Sequence, residues 1–238
     1  MKLDILVIAA HPDDAELSAG GTIIANVAKG RKVGIVDLTR GEMGTRGTPE
    51  IRLKEAAAAA EIMGVTLRDN LEFEDAFFTN DREHQLAIVR KIRAYQPELV
   101  IANAVSDRHP DHGKGSALIS QACFISGLKR VETEVDGFQQ EAWRPKNVYH
   151  MIQSNFIDPD FVVDVSDHWD KKMAAVRAYK SQFFDPDNKE PDTFISTPAF
   201  MNLIESRGVE MGQPVGFSYA EGFTIEKRMG IKDLFELH

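Results

Sequence analysis

The feature that most constrains this 238-residue chain is the alternation, through its first half, of short apolar runs with longer stretches of helical spacing. Leu3 to Ala9 is apolar over a strand's length, and Ser18 to Ala28 repeats its apolar residues at helical intervals. Lys32 to Leu38 reads as a second strand. Pro49 to Met63 reads as a helix, with Pro49 suited to a first turn and Gly64 to a stop. Asn70 to Phe73, Arg82 to Tyr95, Leu99 to Ala102 and Gly113 to Leu128 continue the series as strand, helix, strand, helix. Strands joined through helices require right-handed crossovers. The expected fold is therefore an α/β, Rossmann-like domain, its mainly parallel sheet covered by helices on both faces.

The second half is less regular. Asn147 to Gln153 and Phe161 to Val165 read as strands and His168 to Tyr179 as a helix, while Asp185 to Pro191 has the composition of a loop. That loop is expected to be a plain surface connection, with a substrate lid as the alternative. No repeat or linker interrupts the chain, so residues 1–238 read as one domain.

Charge and cysteine content narrow the partners. Lys and Arg total 28 against 37 for Asp and Glu, a net charge of -9, which repels phosphate backbones and argues against nucleic acid. Lys171-Lys172 and Lys227-Arg228 are isolated doublets that read as solvated helix faces. The single cysteine, Cys123, excludes an intramolecular disulfide and suits a reducing cytoplasm. Its apolar neighbours mark it as a packing residue. Ile5 to Ala10 is too short for an export signal or a membrane span, so a cytoplasmic protein with no membrane partner is expected.

Two segments concentrate the polar residues that do not fit a core. His11-Pro12-Asp13-Asp14-Ala15-Glu16 directly follows the first strand. Asp107-Arg108-His109-Pro110-Asp111-His112 follows the strand Leu99 to Ala102. With strand order 3-2-1-4 the first and fourth strands are neighbours, and the order reverses between them. Ligands of open α/β sheets bind at such a switch point, beyond the carboxyl ends of the strands. Histidines a hundred residues apart thus fall into one crevice. Two imidazoles and one carboxylate, with a fourth position free, make a catalytic zinc set. His11 and His112 supply the imidazoles. Of the adjacent Asp13 and Asp14, one can bind metal and the other take a proton from water; spacing does not say which. The plainer reading, that Asp14 or Ser18 merely caps the following helix, explains one segment but not the pair. Gly20-Gly21 lacks the G-x-G-x-x-G pattern of a dinucleotide loop.

At these residues the sequence resembles the LmbE-like (PIG-L) zinc deacetylases. The likeness rests on His11-Pro12-Asp13-Asp14, Gly20-Gly21-Thr22 and His109-Pro110-Asp111-His112. It extends through Leu38 to Gly47, Arg52 to Ala56 and Tyr219 to Phe223. Within the family the chain looks most similar to the bacillithiol-biosynthesis deacetylases that act on N-acetylglucosaminyl malate. The resemblance implies Asp14 as the ligand beside His11 and His112, and Asp13 as general base. It implies His109 as the group that stabilises the oxyanion or protonates the leaving amine, with Asp111 orienting its ring. Arg52 and Asp75 match positions associated with sugar hydroxyls, against an Arg52–Glu55 surface pair and simple loop capping by Asp75. Arg108 is placed to meet a malate carboxylate, with Arg46 a weaker candidate. The resemblance further implies zinc, with iron(II) or cobalt fitting the same ligands, and a homo-oligomer, a hexamer in particular. Two alternatives stay open: hydrolysis of another sugar conjugate, a chitooligosaccharide or thiol conjugate, and a zinc-binding protein without catalysis.

Overall fold

A computed structural model describes residues 1–233 and 235. Along the chain run β1 (Ile5–Ala9), α1 (Asp14–Ala28), β2 (Val33–Thr39), α2 (Pro49–Met63), β3 (Leu67–Phe73), α3 (Arg82–Tyr95), β4 (Leu99–Ala102) and α4 (Pro110–Ser126). There follow a small hairpin of β5 (Glu134–Val135) and β6 (Phe138–Gln139), then β7 (Asn147–Met151), β8 (Phe161–Asp164), α5 (Trp169–Arg177), α6 (Pro198–Gly212) and β9 (Ala220–Ile225). The main sheet has the order β3-β2-β1-β4-β7-β9-β8. Its first five strands are parallel, and β9 runs antiparallel between β7 and β8. The expected 3-2-1-4 order, with its reversal between β1 and β4, is present.

Strand periodicity explains the layers. Successive side chains of a strand face opposite sides of the sheet. Ile5, Val7 and Ala9 join one buried cluster with Ala15, Ala19 and Ile23 of α1, Ala59 of α2 and Val176 of α5. Leu6 and Ile8 join another with Ile88 and Ile92 of α3 and Leu118 and Ile119 of α4. Both faces of β1 are covered, so it is apolar throughout.

Some boundaries differ from the sequence reading. Helix α1 begins at Asp14 rather than Ser18, and α4 at Pro110 rather than Gly113. Acidic residues and proline look like loop, yet the first helical turn tolerates both, having free N–H groups and a positive dipole end. Strand β3 begins at Leu67 because Arg68 and Asp69, though charged, lie in an edge strand. The β5–β6 hairpin, absent from the sequence reading, turns at Asp136-Gly137, both at positive φ. Among the described residues no helix is long and apolar enough to cross a membrane.

Candidate active site

The two segments meet at the switch point, and Asp14 is their hub. Its carboxylate lies between the two imidazoles, 3.5 Å from His11 Nδ1 and 3.1 Å from His112 Nε2. Three further donors hold it there. His11 N and Asn103 Nδ2 donate to Oδ2 at 3.0 and 3.1 Å, and Gln153 Nε2 donates to Oδ1 at 3.0 Å. Asn103 and Gln153 follow the ends of β4 and β7, so the parallel strands themselves position the hub. Burial works against its charge, but the His112 charge and the hydrogen bonds from both imidazoles outweigh it and hold the Asp14 pKa well below the carboxylate range.

Each imidazole is backed by a carboxylate on its far nitrogen. Asp107 lies 2.5 Å from His112 Nδ1. Asp75 lies 3.0 Å from His11 Nε2, with Asp111 at 3.4 Å. Burial lowers the His112 pKa, but Asp14 and Asp107 overcome this and bring it to about 9; His11 is likewise raised, burial being outweighed by Asp111, Asp14 and Asp75. Inner nitrogens turned toward one carboxylate and outer nitrogens fixed by others form the arrangement of metal-ligating histidines. The donor set of His11, Asp14 and His112 therefore fits a divalent metal. Both rings must shed a proton to bind it, so metal uptake and proton release are linked.

Asp13 is held apart from that set. Its backbone lies at φ 121°, ψ -28°, and its side chain makes no cap bond to α1. Arg52 fixes it instead. Nη2 donates to Asp13 Oδ2 at 3.0 Å and to the Pro12 carbonyl at 2.5 Å, and Nη1 donates to Gly41 O at 3.2 Å. Burial pushes the Asp13 pKa up to about 7 against the pull of Arg52, which suits a group that must take and release a proton near neutrality.

Three residues have partners other than the expected ones. Arg52 does not pair with Glu55; its terminal nitrogens serve Asp13, Pro12 and Gly41, while Glu55 accepts from Ser181. Asp75 has both oxygens engaged, one with His11 and one accepting from Met43 N at 3.0 Å, so it backs a ligand rather than reading sugar. Asp111 does not orient the His109 ring. Its carboxylate faces His11, accepts from Ala76 N at 2.9 Å and pairs with Lys114 at 2.8 Å, because as an N-terminal residue of α4 it is rotated away. Only the Asp111 backbone N–H meets His109, donating to Nδ1 at 3.3 Å. That N–H can only donate, so the neutral ring carries its proton on Nε2. Burial, with the His11 and His112 charges, lowers the His109 pKa and favours the neutral ring.

The site opens into a cavity of about 460 Å³ lined by His109, Asp13, Arg108 and the Met43–Thr45 turn, and extending toward α6. Arg108 is exposed at its rim, its guanidinium 4.4 Å from the centre of the Phe194 ring. Among the described residues no carboxylate pairs with it. Arg46, by contrast, is buried and ties down the 185–192 loop through Pro191 O, Glu190 O and Asp192. Lys172 is also buried, not solvated: it pairs with Glu221 at 2.7 Å, and Glu221 accepts from Gly21 N and Thr22 N.

Asp107, Asn103, Gln153 and Glu221 carry structure at this site that their residue types did not announce. For Asn103 and Gln153 the available signal was a polar side chain just past a buried parallel strand, where ligands bind. Replacing Asp107 by Asn should weaken metal affinity by about 10–100-fold, the usual effect of losing such an orienting partner. A chelator-competition titration measures this, and unchanged affinity would dismiss the role.

Comparison with known proteins gives the family. Residues 6–123 match the family model described as PIG-L: GlcNAc-PI de-N-acetylase. The chain is 30% identical to a diacetylchitobiose deacetylase of Thermococcus kodakarensis, over 93% of this chain and 82% of that protein. It is also 30% identical to a probable N-acetyl-alpha-D-glucosaminyl L-malate deacetylase 2 of Bacillus cereus, over 76% and 84% respectively. A 4-oxalmesaconate hydratase of Pseudomonas putida is 28% identical over 74% and 73%. Among solved structures, a conserved protein of Thermus thermophilus superposes with TM-score 0.86 at 35% identity, covering 97% of this chain and 98% of its own. With the crevice between β1 and β4 furnished as described, the chain belongs to the PIG-L (LmbE-like) family and is an enzyme that hydrolyses N-acetyl amides.

Proposed function

We propose that the chain is a zinc-dependent deacetylase of an N-acetylglucosaminyl conjugate whose aglycone bears a carboxylate, N-acetylglucosaminyl malate of bacillithiol biosynthesis being the leading substrate. The observation that carries this reading is Arg108, a guanidinium at the cavity rim with no protein carboxylate partner among the described residues. In a protein of net charge -9, it offers an anionic aglycone local positive potential. A chitooligosaccharide is the second reading, favoured by the likeness to the diacetylchitobiose deacetylase.

Bound by His11, Asp14 and His112, zinc supplies Lewis-acid polarisation of the amide carbonyl, and iron(II) or cobalt fits the same donors. Asp13, aimed by Arg52, takes the proton of the attacking water. His109 presents its Nε2–H to the oxygen that gains charge, and the proton that reaches the leaving nitrogen is the one Asp13 has taken from the attacking water. The single buried cysteine supports a reducing cytoplasm as its place.

A free-amine assay of metal-loaded protein on N-acetylglucosamine, its malate conjugate and diacetylchitobiose tests the reading. A hydrogen-bonded arginine–carboxylate contact contributes about 1.5–3 kcal/mol, or about one to two decades in kcat/KM. Arg108→Met should therefore lower kcat/KM on the malate conjugate by about tenfold or more, and that on N-acetylglucosamine much less. Equal losses on both would remove the carboxylate-reading role.

We also propose a homo-oligomer, a hexamer in particular. The family resemblance supports it, as does β3 at the open sheet edge with Ile51 and Leu53 exposed on the adjacent α2. Light scattering at micromolar concentration is expected to give a mass several times that of one chain. A monomer there would end the idea.

A further inference from the structure

We infer that His150 is a positioning residue of the metal centre, acting through Asn103 on the Asp14 carboxylate. The inference deepens the metal-site reading and rests on it. His150 lies on β7 opposite Ala102 of β4, and it shares a strand face with Val148, which packs into an apolar cluster. That register suits an apolar side chain, yet the residue there is a buried imidazole. Burying a polar ring is costly unless its nitrogens are bonded. Both are. Nε2 lies 3.0 Å from Glu226 Oε1. Nδ1 lies 3.0 Å from the Asn103 carbonyl oxygen and 2.8 Å from Ser116 Oγ of α4.

The acceptors decide where the protons sit. A carbonyl oxygen only accepts, and so does an ionised carboxylate. Nδ1 therefore carries a proton to hold Asn103 O, and Nε2 carries one to hold Glu226. A singly protonated ring would keep Nε2–H, take the Ser116 hydroxyl onto Nδ1 and leave Asn103 O facing a nitrogen lone pair. The geometry thus selects the doubly protonated ring, with the half-exposed Glu226 as its counter-charge.

Asn103 passes that constraint on. It is wholly buried, and its Oδ1 accepts from Ala10 N at 2.7 Å. Its Nδ2 donates to Asp14 Oδ2 at 3.1 Å and to Gln153 Oε1 at 2.9 Å. Strand β7 and the residues just after it thus grip Asn103 at both ends, His150 at the carbonyl and Gln153 at the amide. Ala10 directly precedes the ligand His11, so the same asparagine also fixes the end of β1. Freeing its carbonyl lets the residue rotate, and the amide then leaves Asp14.

The test is zinc affinity of the full chain by chelator competition, with thermal melting alongside. An asparagine amide stands where Nδ1 stands, whereas a glutamine amide reaches the place of Nε2. His150→Asn should keep zinc affinity within about twofold, and His150→Gln should weaken it by about three- to tenfold, part of what losing a direct partner of a ligand costs. In an Asn103→Ala background the His150→Gln step should vanish, because residues acting through one contact are not additive. Equal losses in the two His150 variants, or full additivity with Asn103→Ala, would make His150 a packing residue and overturn the inference. Nitrogen-15 spectra of the metal-free native protein at neutral pH give a second measurement. Both His150 ring nitrogens should be protonated there, and one should lose its proton in Glu226→Gln. A bare ring nitrogen in the native protein overturns the inference even if the His150 variants fail to fold. If the native protein binds no zinc, the metal reading falls, and the ring spectra still decide the hold on Asn103.

Discussion

An Asp13→Asn protein should keep its metal and lose about two to four decades of kcat, the size of a general-base contribution. The asparagine can still accept from Arg52 Nη2, so the Pro12–Asp13 turn keeps its anchor while the proton acceptor is gone. Asp14→Ala should behave differently. It removes the carboxylate between His11 and His112, and metal content should fall with activity. Metal analysis beside kinetics decides the matter. Zinc lost from the Asp13 variant and retained by the Asp14 variant would exchange the two roles. An Asp13 variant with full metal and full turnover would revive the reading of a zinc protein without catalysis.

The second large effect is expected at His109. His109→Ala should lower kcat by about two to three decades while metal content holds, because the oxygen that gains charge loses its Nε2–H donor. KM should change much less, since the interaction grows only as that oxygen gains its charge. Wild-type kcat in this variant would remove His109 from the partners of that oxygen. Loss of metal would instead make it a ligand, an outcome the geometry allows to be tested, since nitrogens of His11, His109 and His112 lie within 4.8 Å of one another.

How much of this was legible in the sequence follows from what each residue type can signal alone. The apolar runs of β1, β2 and β4 report burial on both faces, so the parallel sheet and the meeting of His11 with His112 could be read directly. Strand β9 could not, since Ala220–Ile225 contains Glu221 and Gly222, which break strand patterning. Within the site, residue identity told where chemistry gathers but not where each side chain turns. Asp111 and Asp75 face His11 because of rotation within α4 and the loop after β3, and spacing carries no such information. Lys171 and Lys172 illustrate the same limit. Neighbours on a helix point about 100° apart, and only Lys172 turns inward to Glu221.

The backbone of Asp13 has one more implication, for how the chain can change. A non-glycine residue at φ 121° costs about 1–3 kcal/mol, and glycine would take that conformation at little cost. That same change would strip the buried Arg52 of its carboxylate, so strain relief and a lost ion pair oppose each other at this locus. A library screened for thermal endurance alone should therefore accept glycine at position 13 only together with a change at Arg52.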